Sequence, residues 1–479
     1  MFNCLEKTLS LETQASKKVL YTLLDRAEKT KPQTKVLRSL RTQTFDWGKL
    51  SKLEEKCNAY FETTDVTKKD AIAQLSFQDD YFRSFNHIPF ILLGLTLFKI
   101  YLVPAMAICM PIFAFILPFI LLRFFYKIPM SFDRYIELLK TMWIGKSDGS
   151  WTQTLFFLFS LIQGIVQPIQ NAIHYNTTDK VICELGEAIL EIRSITVSLQ
   201  EQFALTETPF YISRVLYDFP IDDPRRCFMM VFENPALLKS VFENLGELEV
   251  LWKLSHHSSF REVRFLAPDA EGRPYLHIEG LQDLSIPEDK RIVSDLKLDD
   301  SSHHCLVTGP NGGGKSSSMR AILQSVVIAQ TFGVACVKSM TLRPFKWILS
   351  GLELRDTPGT RSLFQTEVRF AAKLLKERRG PGLILYDELF HSTNPPDCVR
   401  TATLFMQKLW KRKNIASFLS THVFELVDIA PPEIQKLCVS ATYDKEKRKL
   451  VFSYKLTKGV CKLSSVYSIL KREGLVSVR

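Results

Sequence analysis

The stretch Leu306–Arg320, LVTGPNGGGKSSSMR, decides how the C-terminal half is read. From Gly309 to Ser316 it fits G-x-x-x-x-G-K-[ST], the glycine-rich loop that cradles phosphates. An apolar run, CLVT, precedes it and a helical pattern, MRAILQSVVIAQ, follows, which is the strand–loop–helix setting this motif requires. Glycines let the backbone curl so that its N–H groups face phosphate oxygens, and the positive end of the following helix adds to the attraction. The expected nucleotide contacts are Gly309, Pro310, Asn311, Gly312, Gly313, Gly314, Lys315, Ser316 and Ser317. Lys315 is expected to neutralise β- and γ-phosphates, and the Ser316 hydroxyl to ligate magnesium.

Two later blocks complete the constellation. GLILYDE (382–388) is an apolar strand that delivers Asp387 to the magnesium shell, with Glu388 placed to activate a water as general base. FLSTHVFEL (418–426) ends a further apolar strand at His422, a side chain placed to reach the γ-phosphate. The implied cofactors are a nucleotide and Mg2+. Alternating strand-like segments from Arg264 (VRFLAP, PYLHIEG, RIVSDLKLD, HHCLVTG), interleaved with helical ones, predict an α/β domain over 263–479.

The N-terminal half reads as mostly helical. Residues 1–88 form a polar helical region without a catalytic constellation, in which Lys31-Pro32 breaks a first helix. Region 89–172 changes character. Ile100–Leu122 is uncharged and mostly apolar, long enough as a helix to cross a bilayer core of about 30 Å. This main span, 100–122, is expected as a tilted helix or as a hairpin bent at Pro104, and whether 154–172 forms a second span is open. Arg123, Lys127, Arg134, Lys140 and Lys146 follow the first run, so the positive-inside rule puts that flank, and with it the nucleotide site, in the cytoplasm. Two full spans would put the same flank outside; a hairpin in the first run removes that conflict. Residues 173–262 are expected as a helical core or lever, with Ile182, Leu185, Ile189, Ile192 and Leu199 on one seam. Packing within the domain and a dimer seam are both open there.

The ten cysteines stand singly without CxxC, which predicts reduced thiols and no zinc site. The paired histidines 256–257 and 303–304 lack ligand spacing and are expected at the surface or at strand edges. The net charge is +11, and Val439–Arg479 holds ten Lys and Arg against three acids. The net charge favours an anionic partner (nucleic acid, acidic lipid or nucleotide) over a cationic one, and for the basic tail a solvated segment and a contact to phosphates or lipid headgroups are both open.

The order and wording of these blocks resemble the ATPase domain of the MutS family. The phosphate loop with Met319-Arg320, then Arg361-Ser362-Leu363-Phe364-Gln365-Thr366-Glu367 (RSxFxxE), the Asp387-Glu388 pair, Thr421–Leu426 (THxFEL) and the closing FSYKLTKG follow one another over 263–479. The resemblance implies a P-loop NTPase of ABC-like, MutS type, with ATP as its nucleotide, working as a homodimer through its ATPase domains, with a short loop after the acidic pair closing over the partner's nucleotide. That loop reads near GRGTS in the family. Here it is Phe390-His391-Ser392-Thr393-Asn394, so Ser392, Thr393 and Asn394 are the expected contacts to the partner subunit's nucleotide. A mismatch-reading Phe-x-Glu is missing from the first 90 residues, and the apolar segment has no counterpart in the best-known members. The sequence therefore points to a membrane-anchored MutS-like ATPase with DNA as a candidate partner. An ABC-transporter half, or an ATP-binding scaffold without a DNA role, stands as the alternative; LSGGQ before the acidic strand, which a transporter needs, is absent.

Overall fold

The computed structural model describes the chain except residues 1–2, 28–33, 62–65, 89, 145–150, 205–213, 299–302, 353–361, 378–379, 445–448, 467–469, 471–474 and 476–479. The Lys31-Pro32 break and Arg361 lie outside the described residues. In chain order the helices are α1 (Asn3–Leu9), α2 (Gln14–Asp25), α3 (Thr34–Leu40), α4 (Trp47–Phe61), α5 (Val66–Gln74), α6 (Ile91–Leu97), α7 (Val103–Ile120), α8 (Phe132–Ile144), α9 (Trp151–Ala204), α10 (Pro224–Glu233) and α11 (Ala236–His256). Strands β1 (Arg261–Glu262), β2 (Arg264–Phe265), β3 (Leu276–Leu281), β4 (Ser294–Leu298) and β5 (His304–Thr308) lead into α12 (Lys315–Phe332). After it come β6 (Val334–Ala335), β7 (Ser339–Leu342), β8 (Trp347–Gly351), α13 (Leu363–Lys376), β9 (Gly382–Tyr386), α14 (Pro395–Trp410), β10 (Ile415–Ser420), α15 (Phe424–Asp428), β11 (Gln435–Asp444) and β12 (Lys449–Lys458).

Two compact units result. One holds Met1–Trp47 with Leu245–Arg479, the other Gly48–Leu205 with Tyr211–Asn244. The N-terminal helices thus fold with the α/β part, a grouping that differs from the boundary read at residue 88. A buried carboxylate ties them in. Glu249 is fully buried, and its Oε2 accepts the Thr13 hydroxyl at 2.5 Å while its Oε1 accepts the Glu12 N–H at 2.6 Å. Such contacts can be read only in three dimensions, because the partners are more than 230 residues apart.

The α/β part is built on a mixed six-stranded sheet in the order β12-β11-β5-β10-β9-β8. Its strands are parallel except for the β11–β12 hairpin. Every residue of β5, β9 and β10 is buried, as expected of central parallel strands covered on both faces. His304 corrects the surface expectation. It lies in β5, is 4% exposed, and its Nδ1 is 2.8 Å from Ser417 Oγ. Burial pulls its imidazole down to about 3, so it is neutral at physiological pH. A four-stranded sheet, β2-β7-β3-β4, and the β1–β6 pair complete this unit.

The helical unit contains the apolar run. Ile91–Phe125 is one unbroken helical rod, with wide π-helical turns at Phe98–Leu102 and Leu121–Phe125, rather than a hairpin bent at Pro104. The wide turn at Phe98–Leu102 lies just before Pro104 and relieves the clash that a proline ring makes with the preceding turn. Its first turns are anchored: Leu92 packs with Ile72, Leu75, Ile182, Leu185, Phe228 and Met229. From Val103 to Ile120 no residue is buried. The second apolar run forms the start of α9, a 54-residue helix. The seam expected over Ile182–Leu199 is buried, and Ile182 and Leu185 pack within this unit.

Candidate active site

Parallel strands end on the same rim of a sheet, so residues far apart in sequence meet there. The register sets Val307 of β5 beside Ser420 of β10, and Leu419 of β10 beside Tyr386 of β9. The glycine turn after β5, the Asp387-Glu388 pair after β9 and the Thr421-His422 pair after β10 consequently share one rim.

The turn from Gly309 to Gly314 adopts left-handed backbone at Gly309 (φ +145°), Gly312 (φ +76°) and Gly314 (φ +108°). At Gly309 a side chain is also excluded by space, since a Cβ there would lie 2.7 Å from the Val439 carbonyl oxygen. Pro310 accepts the Gly313 N–H at 3.1 Å, closing the turn, and Asn311 is exposed at its tip. Lys315 opens α12 and is 5% exposed. Its ammonium donates to the Gly309 carbonyl at 3.0 Å and to the Pro310 carbonyl at 3.3 Å. Burial pulls it below the usual lysine range, and the charges of Glu388 and Asp387 work in the opposite direction. Ser316 and Ser317 are half-buried on the first helical turn, and the Ser317 hydroxyl accepts from Arg320 at 2.9 Å.

The acidic pair is held by Ser420, a residue not singled out from sequence. Its buried hydroxyl donates to Asp387 Oδ1 and accepts the Glu388 N–H at 2.8 Å. A serine ending an apolar strand beside an acidic strand was the only signal for it. Glu388 Oε1 lies 3.2 Å from His422 Nε2, and this hydrogen bond is the main cause of a carboxyl held below its usual range.

The following loop is arranged differently. Glu388 and Phe390 both have positive φ, +51° and +52°. The Phe390 ring is 1% exposed and lies 5.9 Å from both Tyr386 and Phe405. Ser392 donates to Glu367, and Asn394 caps α14, its Oδ1 accepting the Asp397 N–H at 3.0 Å and its Nδ2 donating to Asp397 Oδ2 at 2.8 Å. Ser392 and Asn394 therefore have hydrogen-bond partners within their own chain, whereas Thr393 makes no side-chain hydrogen bond among the described residues. Ser362 caps α13, accepting the Gln365 N–H at 3.3 Å.

Beside the glycine turn lies a cavity of about 240 Å3 lined by Ile286, Ile292, Gly312, Gly314, Ser317 and Tyr454, among others. Tyr454 comes from β12 with φ +52°, and its ring is 3.5 Å from where a Gly314 Cβ would sit. Its sequence neighbours, FSYKL, mark only a strand, so its place beside the turn could not be read from them.

Residues 305–475 match the MutS domain V family. Among curated proteins, endonuclease MutS2 of Shouchella clausii (strain KSM-K16) is 26% identical over 245 residues, which is 51% of this chain and 30% of that relative. The aligned part is thus under a third of the relative's length. The glycine turn, the acidic pair and His422 all lie inside the matched segment, so it is this C-terminal part of the chain that is similar to MutS domain V and to the MutS2 relative.

Proposed function

We propose that this chain is a membrane-anchored, MutS-like ATPase. The observation that carries the reading is the buried Lys315 ammonium facing Asp387 and Glu388 across the strand rim. A buried lysine whose hydrogen bonds, among the described residues, go only to two carbonyls of its own turn is a cation ready for an anion. The residues present fit a magnesium nucleotide: open space over Gly312, a basic group, two carboxylates and the Ser316 hydroxyl. The neighbouring cavity, with Ile286, Ile292 and Tyr454, suits the planar base.

On this reading Lys315 and the turn's N–H groups hold the phosphates and stabilise the charge that builds up as the terminal phosphoryl group is transferred. Ser316 and Asp387 would hold Mg2+, which supplies charge neutralisation between the phosphates. Glu388 takes a proton from the attacking water, and His422 orients its carboxylate. Homodimerisation through these domains would bring Thr393 of one subunit toward the nucleotide of the other. Mutation separates the roles. Lys315→Ala should weaken binding of a fluorescent ATP analogue at least about 100-fold, and Glu388→Gln should keep binding and abolish turnover. Unchanged hydrolysis by Glu388→Gln would refute the base assignment. If the parent binds ATP without turnover, the scaffold reading takes over; the engagement of Ser392 and Asn394 within their own chain favours it.

Membrane attachment is supported by the exposed rod. Tyr101 and Phe125, 64% and 77% exposed, lie near the two ends of the uncharged run. At 1.5 Å per residue they are about 36 Å apart, between the thickness of a hydrocarbon core and that of a whole bilayer. The basic residues after it favour a cytoplasmic location for that flank. Lipid is then the partner of this segment. Extraction at alkaline pH should leave the full chain in the membrane pellet, while a chain lacking 100–122 should be released. DNA binding is the proposed output, carried by the net charge of +11 and the family. Affinity of the full chain for duplex DNA should fall steeply as salt rises. Binding that ignores salt would remove DNA from the reading.

A further inference from the structure

A second buried carboxylate sits under the loop that follows the acidic pair. Glu367, in α13, is 1% exposed, and one loop engages both of its oxygens. Oε1 lies 2.9 Å from His391 Nδ1, and Oε2 accepts the Ser392 hydroxyl. His391 Nδ1 is also 3.1 Å from the Glu388 carbonyl oxygen. A ring nitrogen between two acceptors must carry a hydrogen, so Nδ1 is the donor in either charge state. Nε2, on a half-exposed ring, is the nitrogen that gains or loses the second proton.

The surroundings of the pair are specific. The Tyr386 phenol of β9 and the Cys398 thiol of α14 face Glu367. Both are pushed up chiefly by burial, with the negative charge of Glu367 adding to the effect. The Glu388 carboxylate faces His391, which helps to hold it low, and is itself paired with His422. His391 is the one cationic partner of Glu367 among the described residues.

We propose that Glu367 is a positioning residue that clamps the loop carrying Glu388, and that the clamp tightens when His391 is protonated. The inference rests on the reading of Glu388 as the base for ATP hydrolysis. A carboxylate shut away from water needs a charged partner. Neutral imidazole offers it only a hydrogen bond, whereas imidazolium completes an ion pair. The loop is therefore held firmly when the His391 ring is charged and loosely when it is neutral.

The experiment uses the full chain in detergent. Hydrogen–deuterium exchange of the peptide spanning 389–394 is compared at matched pH, about 6 and about 8, among the parent, His391→Arg, His391→Gln and Glu367→Gln. The parent should match His391→Arg at the lower pH and His391→Gln at the higher, with at least about a threefold rate difference between those two variants. Glu367→Gln should exchange fast at both pH values, and adding His391→Arg should not rescue it. In turnover, Glu367→Gln should lower kcat about tenfold with KM nearly unchanged, and His391→Arg should flatten the pH profile. A parent that matches His391→Gln at both pH values, or a Glu367→Gln loop as protected as the parent's, overturns the clamp. Parent-like kcat in Glu367→Gln overturns its positioning role. Exchange needs no nucleotide, so a chain that shows the pH-dependent protection but never turns over ATP refutes the hydrolysis reading and leaves the clamp intact.

Discussion

Two turns leave parallel strands of the same sheet and reach the same rim by opposite means. After β5 the chain enters left-handed backbone at Gly309, Gly312 and Gly314, where the missing Cβ makes the conformation cheap. After β9 it enters the same region at Glu388 and Phe390, where a side chain costs roughly 1–2 kcal/mol per residue. The first turn is shaped by its own composition. The second is held by its surroundings: a buried phenyl ring among Phe364, Tyr386 and Phe405, the Ser420 hydroxyl, and the Glu367 carboxylate. One turn leaves open space over its backbone, and the other uses its side chains to brace the acidic pair.

Substitutions test this contrast. The largest effect is expected for Phe390→Ala, which removes a fully buried ring while keeping the strained backbone. It should cost about 3–5 kcal/mol in denaturant unfolding, and a loss under about 1 kcal/mol would mean that the ring does not brace the loop. Gly309→Ala comes next. Its Cβ would press on the Val439 carbonyl at 2.7 Å, so roughly 2–3 kcal/mol of stability should be lost, together with affinity for the ATP analogue. Gly312→Ala meets nothing within 4 Å and should cost only about 1 kcal/mol of backbone strain. Equal losses at the two glycines would erase the distinction between crowded and open parts of the turn. Phe390→Gly should be about 1 kcal/mol more stable than Phe390→Ala, because glycine accepts the positive φ.

The smallest effect concerns pH. The hydrogen bond from His422 holds the Glu388 carboxyl below its usual range. A carboxyl lowered in the folded state stabilises fully above its unfolded value, and this contribution is lost as pH falls through the lowered folded value. The gain is small, since both side chains are over a third exposed and screened by solvent. His422→Ala should therefore shift the acid limb of turnover to higher pH and change stability little. An unmoved acid limb would show that Glu388 is not the group titrating there.

Much of the site was legible in the sequence because each block announces itself locally: a glycine turn between an apolar strand and a helix, then acidic and His-bearing tips on further apolar strands. The four segments read as strands from Arg264 onward cover β2, β4 and β5, and β3 except its last residue. Less legible was His304, since a paired histidine looks exposed until the neighbouring strands bury it. Also less legible was the continuity of the apolar helix through Pro104, because proline alone suggests a break and the wide turn ahead of it accommodates the ring.

What the sequence determined alone was local: the phosphate-loop pattern, the identity of the charged tips, and the uncharged length of Ile100–Leu122. These follow from backbone freedom, strand burial and helix rise, each a property of adjacent residues. Tertiary structure decided which distant groups meet. It set Ser420 between Asp387 and Glu388, Tyr454 against the glycine turn, and Glu367 beneath His391 and Ser392. The reason is strand order, which brings β5, β10 and β9 side by side although they are separated in the chain. No local pattern encodes which polar atoms will then need one another once water has been excluded from the rim.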